Sequence, residues 1–384
     1  DRVAVLKEYA DYSWSLDPDH YVIFEHLGGQ QEQKEWADYR INEGKGIMLW
    51  GKMTNSYNQL TMGYSSDSNF GGIGHNSQNF IGKRLIGYAE SHDEERLMYR
   101  NLLYGASSGS YDAADLNTAL QRFPALGAVT LTIPGPKMIW HFGELGMENS
   151  IYTCTNGSVN SPNDATPGDC KLDTKPQPQW IDNWESDPLR SQIYNSWSRI
   201  NDLKINEPVF EGNYNINSGS LTPKIYIWDD TLPSNSLKNV VILANFDVTS
   251  QNVTPNFPYT GVWHDLMDVS GNTTITVSNT SNIISIEPGE FKIYGNQAAT
   301  TLSTNDLISE NSIAIFPNPA NEYFRVSQRS TKVNVYDILG NEVQTHKGNF
   351  SSQNRFDIST LGSGVYLISI ETKNGSVTKK LLKY

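Results

Sequence analysis

Glu25 closes a short run of apolar and β-prone residues, Tyr21-Val22-Ile23-Phe24, and Gly28-Gly29 follow soon after. A continuous run of this kind fits a strand buried on both faces. A carboxylate at the end of such a strand costs free energy unless it sits in a site. Burial there can raise its pKa toward neutrality, where a carboxyl group both gives and takes protons. Glu25 is therefore the candidate general acid/base. The arrangement returns twice. Leu85-Ile86-Gly87-Tyr88 leads through Ala89-Glu90-Ser91 into His92-Asp93, and Lys137–Phe142 runs into Gly143-Glu144. His92 and Asp93 are a hydrogen-bonding ring and a second carboxylate at a second strand end. Glu90, Glu94 and Glu95 lie beside Arg96 and read as structural ion pairs. Glu144 reads as a brace for its loop.

The elements that must position these groups alternate. Residues 1–203 pass from a helical pattern (Val3, Leu6, Tyr9, Ala10, Trp14) to the Tyr21–Leu27 strand and a polar helix at about 30–42. A strand at Gly46–Gly51, a third at Arg84–Tyr88, a helix over Asp112–Thr130, a fourth strand at Lys137–Phe142 and a helix over Pro188–Leu203 follow. Strand–helix alternation predicts parallel strands with helices outside. In a barrel of parallel strands, active sites form at the C-terminal ends of the strands. Four such units are present, and a closed barrel needs eight. The helical pattern opens without a cap, so the natural beginning of the protein is expected to lie upstream.

Beyond residue 203 the patterning changes. Residues 204–296 hold short β-rich runs, with turn signals at Ser270-Gly271-Asn272 and Pro288-Gly289, and predict an all-β sandwich. Residues 297–311 are small and polar, a linker composition. Residues 312–384 alternate apolar and polar residues around Gly340-Asn341 and Asn374-Gly375, which are hairpin signals, and predict a second, smaller all-β sandwich.

The net charge of −13 opposes binding to nucleic-acid phosphates or to an anionic membrane surface. No apolar stretch is long enough to span a bilayer. Cys154 and Cys170 are the two cysteines, and neither has a zinc-site partner at the right spacing, so no metal site is expected. They are either free thiols or a disulfide stapling one loop, and export would favour the disulfide. Closing a loop of about 15 residues contributes roughly 3 kcal/mol in the chain-entropy model.

Three strand ends in this order resemble the second half of the catalytic barrel of the α-amylase family, glycoside hydrolase family thirteen. Tyr21–Gly28 resembles its fifth strand, Tyr88–Asp93 its seventh, and Pro134–Gly146, with Gly143-Glu144-Leu145-Gly146, its eighth. The resemblance implies a truncated (β/α)8 barrel over 1–203, strands five to eight with their helices, followed by the family's β-sandwich over 204–296. It makes Glu25 the acid/base, Asp93 the transition-state stabiliser and His92 a contact to a sugar hydroxyl. His26, Trp50 and Trp140 are further candidate substrate contacts, since aromatic faces stack on sugar rings. Trp228 and Trp263 read as sandwich core, with a surface glucan-binding spot as the alternative.

The family's nucleophilic Asp belongs to an Arg-x-Asp motif on the fourth strand, and no such motif precedes Glu25. The family's Asn before His-Asp is Ser91 here. The implied parent is a secreted hydrolase of α-1,4-glucosidic bonds in starch or glycogen, of which this chain alone is inactive. It needs no cofactor within this chain, and calcium would belong to the missing N-terminal half. Rival readings are another hydrolase or a transglycosidase of the family, or a non-catalytic surface protein that binds starch.

Residues 312–384 resemble the C-terminal sorting domain of proteins exported by the type nine secretion system of Bacteroidetes. The matching stretches are Ile315-Phe316-Pro317-Asn318-Pro319-Ala320, Val335–Gly340, Leu361–Tyr366 and the lysine-rich end. The resemblance implies that the secretion machinery is a partner, and that the protein is secreted or held at the cell surface.

Overall fold

The computed structural model describes residues 2–26, 28–154, 158–159, 182–300, 313–372 and 375–384, with backbone alone at 375 and 376. The chain divides into two compact units, 1–300 and 301–384.

The first unit opens with helix α1 (Arg2–Leu16), strand β1 (Ile23–Phe24), helix α2 (Gln30–Ala37), strand β2 (Met48–Lys52), helix α3 (Thr54–Met62) and strand β3 (Leu85–Tyr88). Helix α4 (Leu97–Tyr104), a hairpin of β4 (Ser107–Ser108) and β5 (Tyr111–Asp112), helix α5 (Leu116–Leu131), strand β6 (Lys137–Met138) and helix α6 (Pro188–Asn206) follow. Strands β1, β2, β3 and β6 form one sheet in that order, every neighbouring pair parallel. The expected strand–helix alternation is present, with four parallel strands.

The sheet is not buried on both faces as expected. Val22, Phe24, Leu49 and Leu85 pack with Ala10, Trp14 and Trp36 on the side of α1 and α2. The other face is open: Ile23 is 49% exposed and Tyr21 75%. Strand residues alternate sides, so a continuous apolar run dresses both faces even where only one is covered. A hollow of about 760 Å³ lies over this open face, lined by Ile23, Met48, Trp50, Ile86, Met138 and Ile139 among others.

Eight further strands complete the unit: β7 (Asn213–Asn217), β8 (Lys224–Trp228), β9 (Asn239–Ala244), β10 (Gln251–Val253), β11 (Gly261–Asp265), β12 (Thr274–Val277), β13 (Ile284–Ile286) and β14 (Phe291–Gly295). Six of them form an antiparallel sheet in the order β12-β11-β14-β9-β8-β7, and β10 pairs with β13. Side chains between these two layers, including Val241, Leu243, Phe257 and Trp263, make one core. Trp263 is fully buried there and offers no surface spot.

The expected division at 203/204 is not a division of packing. Ile225, Ile227, Val240 and Ile242, on the opposite face of the six-stranded sheet, share one core with α3, α4, α5 and α6. Each fully buried aliphatic side chain stabilises by about 1.5–3 kcal/mol. Four of them amount to roughly 6–12 kcal/mol, the size of a whole domain's net stability. The described end of the expected linker, residues 297–300, belongs to the first unit, and 301–311 lie outside the described residues. Ala299 is in this core, and Thr300 Oγ1 donates to Glu207 at 2.8 Å.

Helix α5 starts where Asp115 accepts from the Thr118 N–H at 3.0 Å, a side-chain cap. Its Arg122 is fully buried. The guanidinium donates to the carbonyls of Thr61 (3.2 Å), Phe246 (2.6 Å) and Asp247 (3.2 Å), and to Tyr111 Oη (3.1 Å). One side chain thus joins α3, the β4–β5 hairpin and the β9–β10 connection.

The second unit has its own core around Phe324, Val333, Val335, Phe356, Ile368, Ile370 and Leu381. One sheet runs β15 (Ile315–Phe316), β16 (Tyr323–Val326), β19 (Phe356–Asp357). The other runs β18 (Glu342–Phe350), β17 (Ser330–Tyr336), β20 (Gly364–Thr372), β21 (Gly375–Lys383).

His75 ties the 71–79 loop to β7. The Asn76 N–H donates to Tyr214 Oη at 3.0 Å, and Tyr214 Oη and His75 Nδ1 share a hydrogen bond at 3.1 Å. Burial pushes the His75 imidazole down to about 4, helped by Lys83 and Lys137. The unfolded chain binds this proton near pH 6.5. The contribution of neutral His75 is therefore complete above pH 6.5 and is lost as pH falls toward 4. Melting curves between pH 7 and 4 are expected to fall more steeply for the native chain than for His75→Gln. Parallel falls would refute the coupling.

Candidate active site

Parallel pairing brings the C-terminal ends of β1, β2, β3 and β6 to one rim. Glu25 follows β1 directly, and His92-Asp93 lie in the turn four residues beyond β3. His92 Nε2 stands 3.8 Å from Glu25 Oε1 and 3.7 Å from Asp93 Oδ2. The three groups present ligand atoms within 4.8 Å of one another. The two carboxylates, 68 positions apart in the sequence (93 minus 25), thus share one imidazole. Both separations exceed hydrogen-bond length.

Two indoles flank this imidazole. The Trp50 ring lies 5.8 Å from it, edge-on at 74°, and the Trp140 ring 6.2 Å. Trp50 also meets Tyr88 at 5.5 Å. Glu25, His92, Asp93, Trp50 and Trp140 are therefore brought together. His26 is not among them. Its ring packs edge-on against Trp36 at 4.6 Å, Nε2 faces Glu32 at 3.3 Å, and Nδ1 accepts from the Gly28 N–H at 3.0 Å. Adjacent residues leaving a strand point to opposite sides, so a side chain next to Glu25 turns toward α2.

Glu25 is not buried as expected. Its side chain is 47% exposed and that of Asp93 55%. The rim is open because the face beneath it is open. The hollow over the sheet is lined by Trp50 but not by Glu25, His92 or Asp93. Glu25, His92 and Asp93 are also the side chains, among the described residues, that could gather round a cation. Exposed acidic groups often sit this way without one, and no metal is assigned.

Around the rim the acidic residues separate by role. Glu90 is buried against Arg96, with Oε2 3.5 Å from Nη1 and Oε1 accepting from the Leu97 N–H at 2.8 Å. Burial pushes the Glu90 carboxyl up, and Arg96 and the Leu97 N–H pull it back. Arg96 Nη2 donates to the His141 carbonyl at 2.7 Å, so the pair also holds the loop after β6. Of the three glutamates beside Arg96, Glu90 is the one that meets its guanidinium. Glu94 pairs with Lys52 and accepts from Ser91 Oγ. Glu95 accepts from Ser150 Oγ at 2.5 Å, the Ile151 N–H at 3.0 Å and the Arg96 N–H at 2.9 Å. Ser91 is buried, and its hydroxyl is committed to Glu94 rather than to the rim.

The loop after β6 is braced by Arg190, not by Glu144. Arg190 donates to the carbonyls of Leu145 (2.9 Å) and Gly146 (3.0 Å) and pairs with Glu148 (2.8 Å). The sequence signal for this brace is Arg190 in the first turn of α6. Cys154, in the same region, is disulfide-bonded, and Cys170 lies outside the described residues.

Residues 314–384 match the secretion-system C-terminal sorting domain family. The chain therefore carries the address for type nine export, to the cell surface or the medium. Over 76% of its length it superposes on the crystal structure of an Anoxybacillus α-amylase, with 12% identity and a TM-score of 0.50. Over 77% it superposes on apo pullulanase from Klebsiella pneumoniae, with 11% identity and a TM-score of 0.51. These likenesses establish an amylase-like fold. The chain spans 56% and 42% of those two structures' lengths. It is also 28% identical over 108 residues to an endo-acting ulvan lyase of Formosa agariphila, covering 21% of that enzyme.

Replacing Arg96 by Ala would leave Glu90 buried and without its cation, a change that costs about 3–5 kcal/mol. Urea unfolding of the full chain is expected to show a loss of that order. Adding Glu90→Leu should restore part of it. A loss below about 1 kcal/mol would mean that this buried pair does not order the rim.

Proposed function

We propose that this chain is the C-terminal portion of an exported retaining glycoside hydrolase that cuts α-1,4-glucosidic bonds in starch- or glycogen-like glucans. The observation that carries the reading is the meeting of Glu25, His92 and Asp93 between two indoles at the C-terminal rim of a parallel sheet. The amylase-like fold supports it.

In this reading the sheet is half of a (β/α)8 barrel. Barrel interiors are filled by layers of side chains from all eight strands. The hollow over Ile23, Trp50, Ile86 and Met138 is where side chains of four further strands would pack. Closing the barrel would cover the rim and draw Glu25 out of water, which raises a carboxyl group's pKa.

Glu25 then protonates the glycosidic oxygen as the bond to the sugar carbon breaks. A carboxylate from outside this chain attacks that carbon and forms the covalent intermediate. Glu25, now ionised, takes a proton from water, whose oxygen displaces the carboxylate. Asp93 supports the positive charge that develops on the sugar, and His92 donates to a ring hydroxyl. Trp50 and Trp140 offer apolar faces to the sugar. A same-family transglycosidase would differ only in what accepts the sugar at the last step.

The purified chain is expected to release no reducing sugar from soluble starch, because the attacking group is absent. Joined to, or co-expressed with, the upstream half of its gene product, it should release sugar. In that assembly Glu25→Gln should lower kcat by about 10²–10⁴-fold. Hydrolysis by the chain alone would refute the missing nucleophile. A full-length protein that binds starch, hydrolyses none and ignores Glu25→Gln would instead be a binding protein.

A further inference from the structure

Charge is spread unevenly over the hollow on the open face of the parallel sheet. Its apolar part is made by Ile23, Met48, Trp50, Ile86, Met138 and Ile139. Its other end is basic: Lys83, Arg84 and Lys137 line it with one carboxylate, Glu211. Lys83 and Arg84 immediately precede β3, and Lys137 opens β6. The basic end is therefore the N-terminal end of the sheet, opposite the Glu25 rim. The chain as a whole carries −13, so this end runs against the charge of the molecule.

These cations are held by neutral oxygen atoms. Lys137 Nζ donates to the carbonyls of Pro134 (3.1 Å), Gly135 (3.1 Å) and Pro136 (3.2 Å). Arg84 donates to the carbonyls of Lys45 (2.8 Å) and Gly44 (3.0 Å) through Nε and Nη2. Lys83 Nζ and Arg84 Nη1 make no hydrogen bond among the described residues. The carboxylates nearby do little. Glu211 Oε2 stands 3.9 Å from Lys83 Nζ, beyond hydrogen-bond length, and its side chain is 56% exposed. Asp229, which also feels Lys83, accepts at Oδ1 from the Thr231 N–H and hydroxyl. Burial, with Lys204 close by, pushes the Lys137 ammonium well below the usual lysine range. Burial pushes Lys204 down to about 8 against the pull of Glu211. A buried charge costs free energy until an opposite charge reaches it.

The occupant that suits this surface is apolar over most of its length and anionic at one end. In a barrel of parallel strands, all the N-terminal ends gather at one base. A second copy closing the barrel would bring its own Lys83, Arg84 and Lys137 there and double the excess of cations, which repel. A strand that begins with an inward-facing Asp or Glu meets the base with the opposite sign, and Lys83 Nζ and Arg84 Nη1 can donate to it.

We propose that the Lys83–Arg84–Lys137 base is a docking site for a carboxylate carried at the start of an incoming strand, on a segment of the same protein other than a second copy of this chain. This docking rests on the function proposed above for the incoming strands, while the sign and place of the charge come from the base itself. The carboxylate favours the charged form of Lys137. Ile23, Met48, Ile86 and Met138 receive the apolar side chains that follow it along the strand.

The upstream portion of the same gene product, expressed separately and labelled, tests this against the full chain by fluorescence anisotropy. One-to-one binding is expected. Lys83→Glu reverses a charge without taking a hydrogen bond from the fold, and should weaken binding about tenfold or more. Lys137→Met should weaken it by a similar factor, and Lys292→Gln, on β14, should leave it unaltered. A Lys at the incoming strand's first inward-facing acidic position should restore the binding of Lys83→Glu. Binding indifferent to Lys83→Glu and Lys137→Met overturns the docking site, as does the lack of an acidic position whose reversal rescues Lys83→Glu. Absence of binding overturns it too. Self-association of the chain alone that Lys83→Glu strengthens would seat a second copy there and overturn the choice of partner. Starch hydrolysis by the mixture is read separately. Charge-dependent binding without hydrolysis keeps the docking site and overturns the glycosidase reading; hydrolysis with charge-indifferent binding does the reverse.

Discussion

Helix α5 has to serve two cores at once. It lies against α3, α4 and α6 on one side and against β9 and β14 on the other. Almost every residue from Ala119 to Leu131 is buried. A helix in that position cannot be amphipathic in the ordinary sense. The one guanidinium in its middle, Arg122, is admitted because four oxygen atoms from three other segments receive it. Gly127 lets the helix approach α6, since a Cβ there would fall 2.3 Å from the Trp197 ring. The parallel sheet and the antiparallel sheet are held in one unit by this shared helix.

The rim shows how much of a site depends on enclosure. Its groups converge without help from hydrogen bonds between them, because parallel strands deliver their ends to one place. What convergence alone does not provide is a dry environment. About half of each carboxylate side chain stands in water. Acidic residues close by are occupied in structure: Glu90 with Arg96, Glu94 with Lys52, Glu95 with the 150–151 turn. Glu25 and Asp93 are the carboxylates that face His92 at the rim.

The sorting domain is a separate problem, solved with strand pairing and a clasp. Asn318 of the Pro-Asn-Pro-Ala motif donates from Nδ2 to the Lys380 carbonyl at 2.7 Å and accepts at Oδ1 from the Leu382 N–H at 2.9 Å. The Ala320 N–H donates to the Leu382 carbonyl, and the Tyr384 N–H to the Ala320 carbonyl. The motif therefore grips the last strand near its end. Asp337 closes the β17–β18 turn by accepting from the Leu339 and Asn341 N–H groups, with Gly340 at φ 85°. In both cases a recognisable string of residues is a small hydrogen-bonding device.

Local pattern alone determined the parallel strand ends, the residues that terminate them, the turn chemistry of the last seventy residues and the sorting address. These are properties of neighbours along the chain: period-two alternation, Gly and Asn at turns, a carboxylate after an apolar run. Tertiary structure decided the rest. His26 and Glu25 are adjacent and alike in polarity, yet one faces Trp36 and the other His92. Trp228 and Trp263 are alike in sequence context, yet one stays half-buried and stacked on Tyr226 and the other is sealed between two sheets. Strand β7, Asn-Tyr-Asn-Ile-Asn, alternates plainly but says nothing of which partner strand will set aromatic rings beside Asn213 and Asn215. Which face of a strand is covered, and by what, is fixed by contacts between segments far apart in the chain, and no local run of residues encodes it.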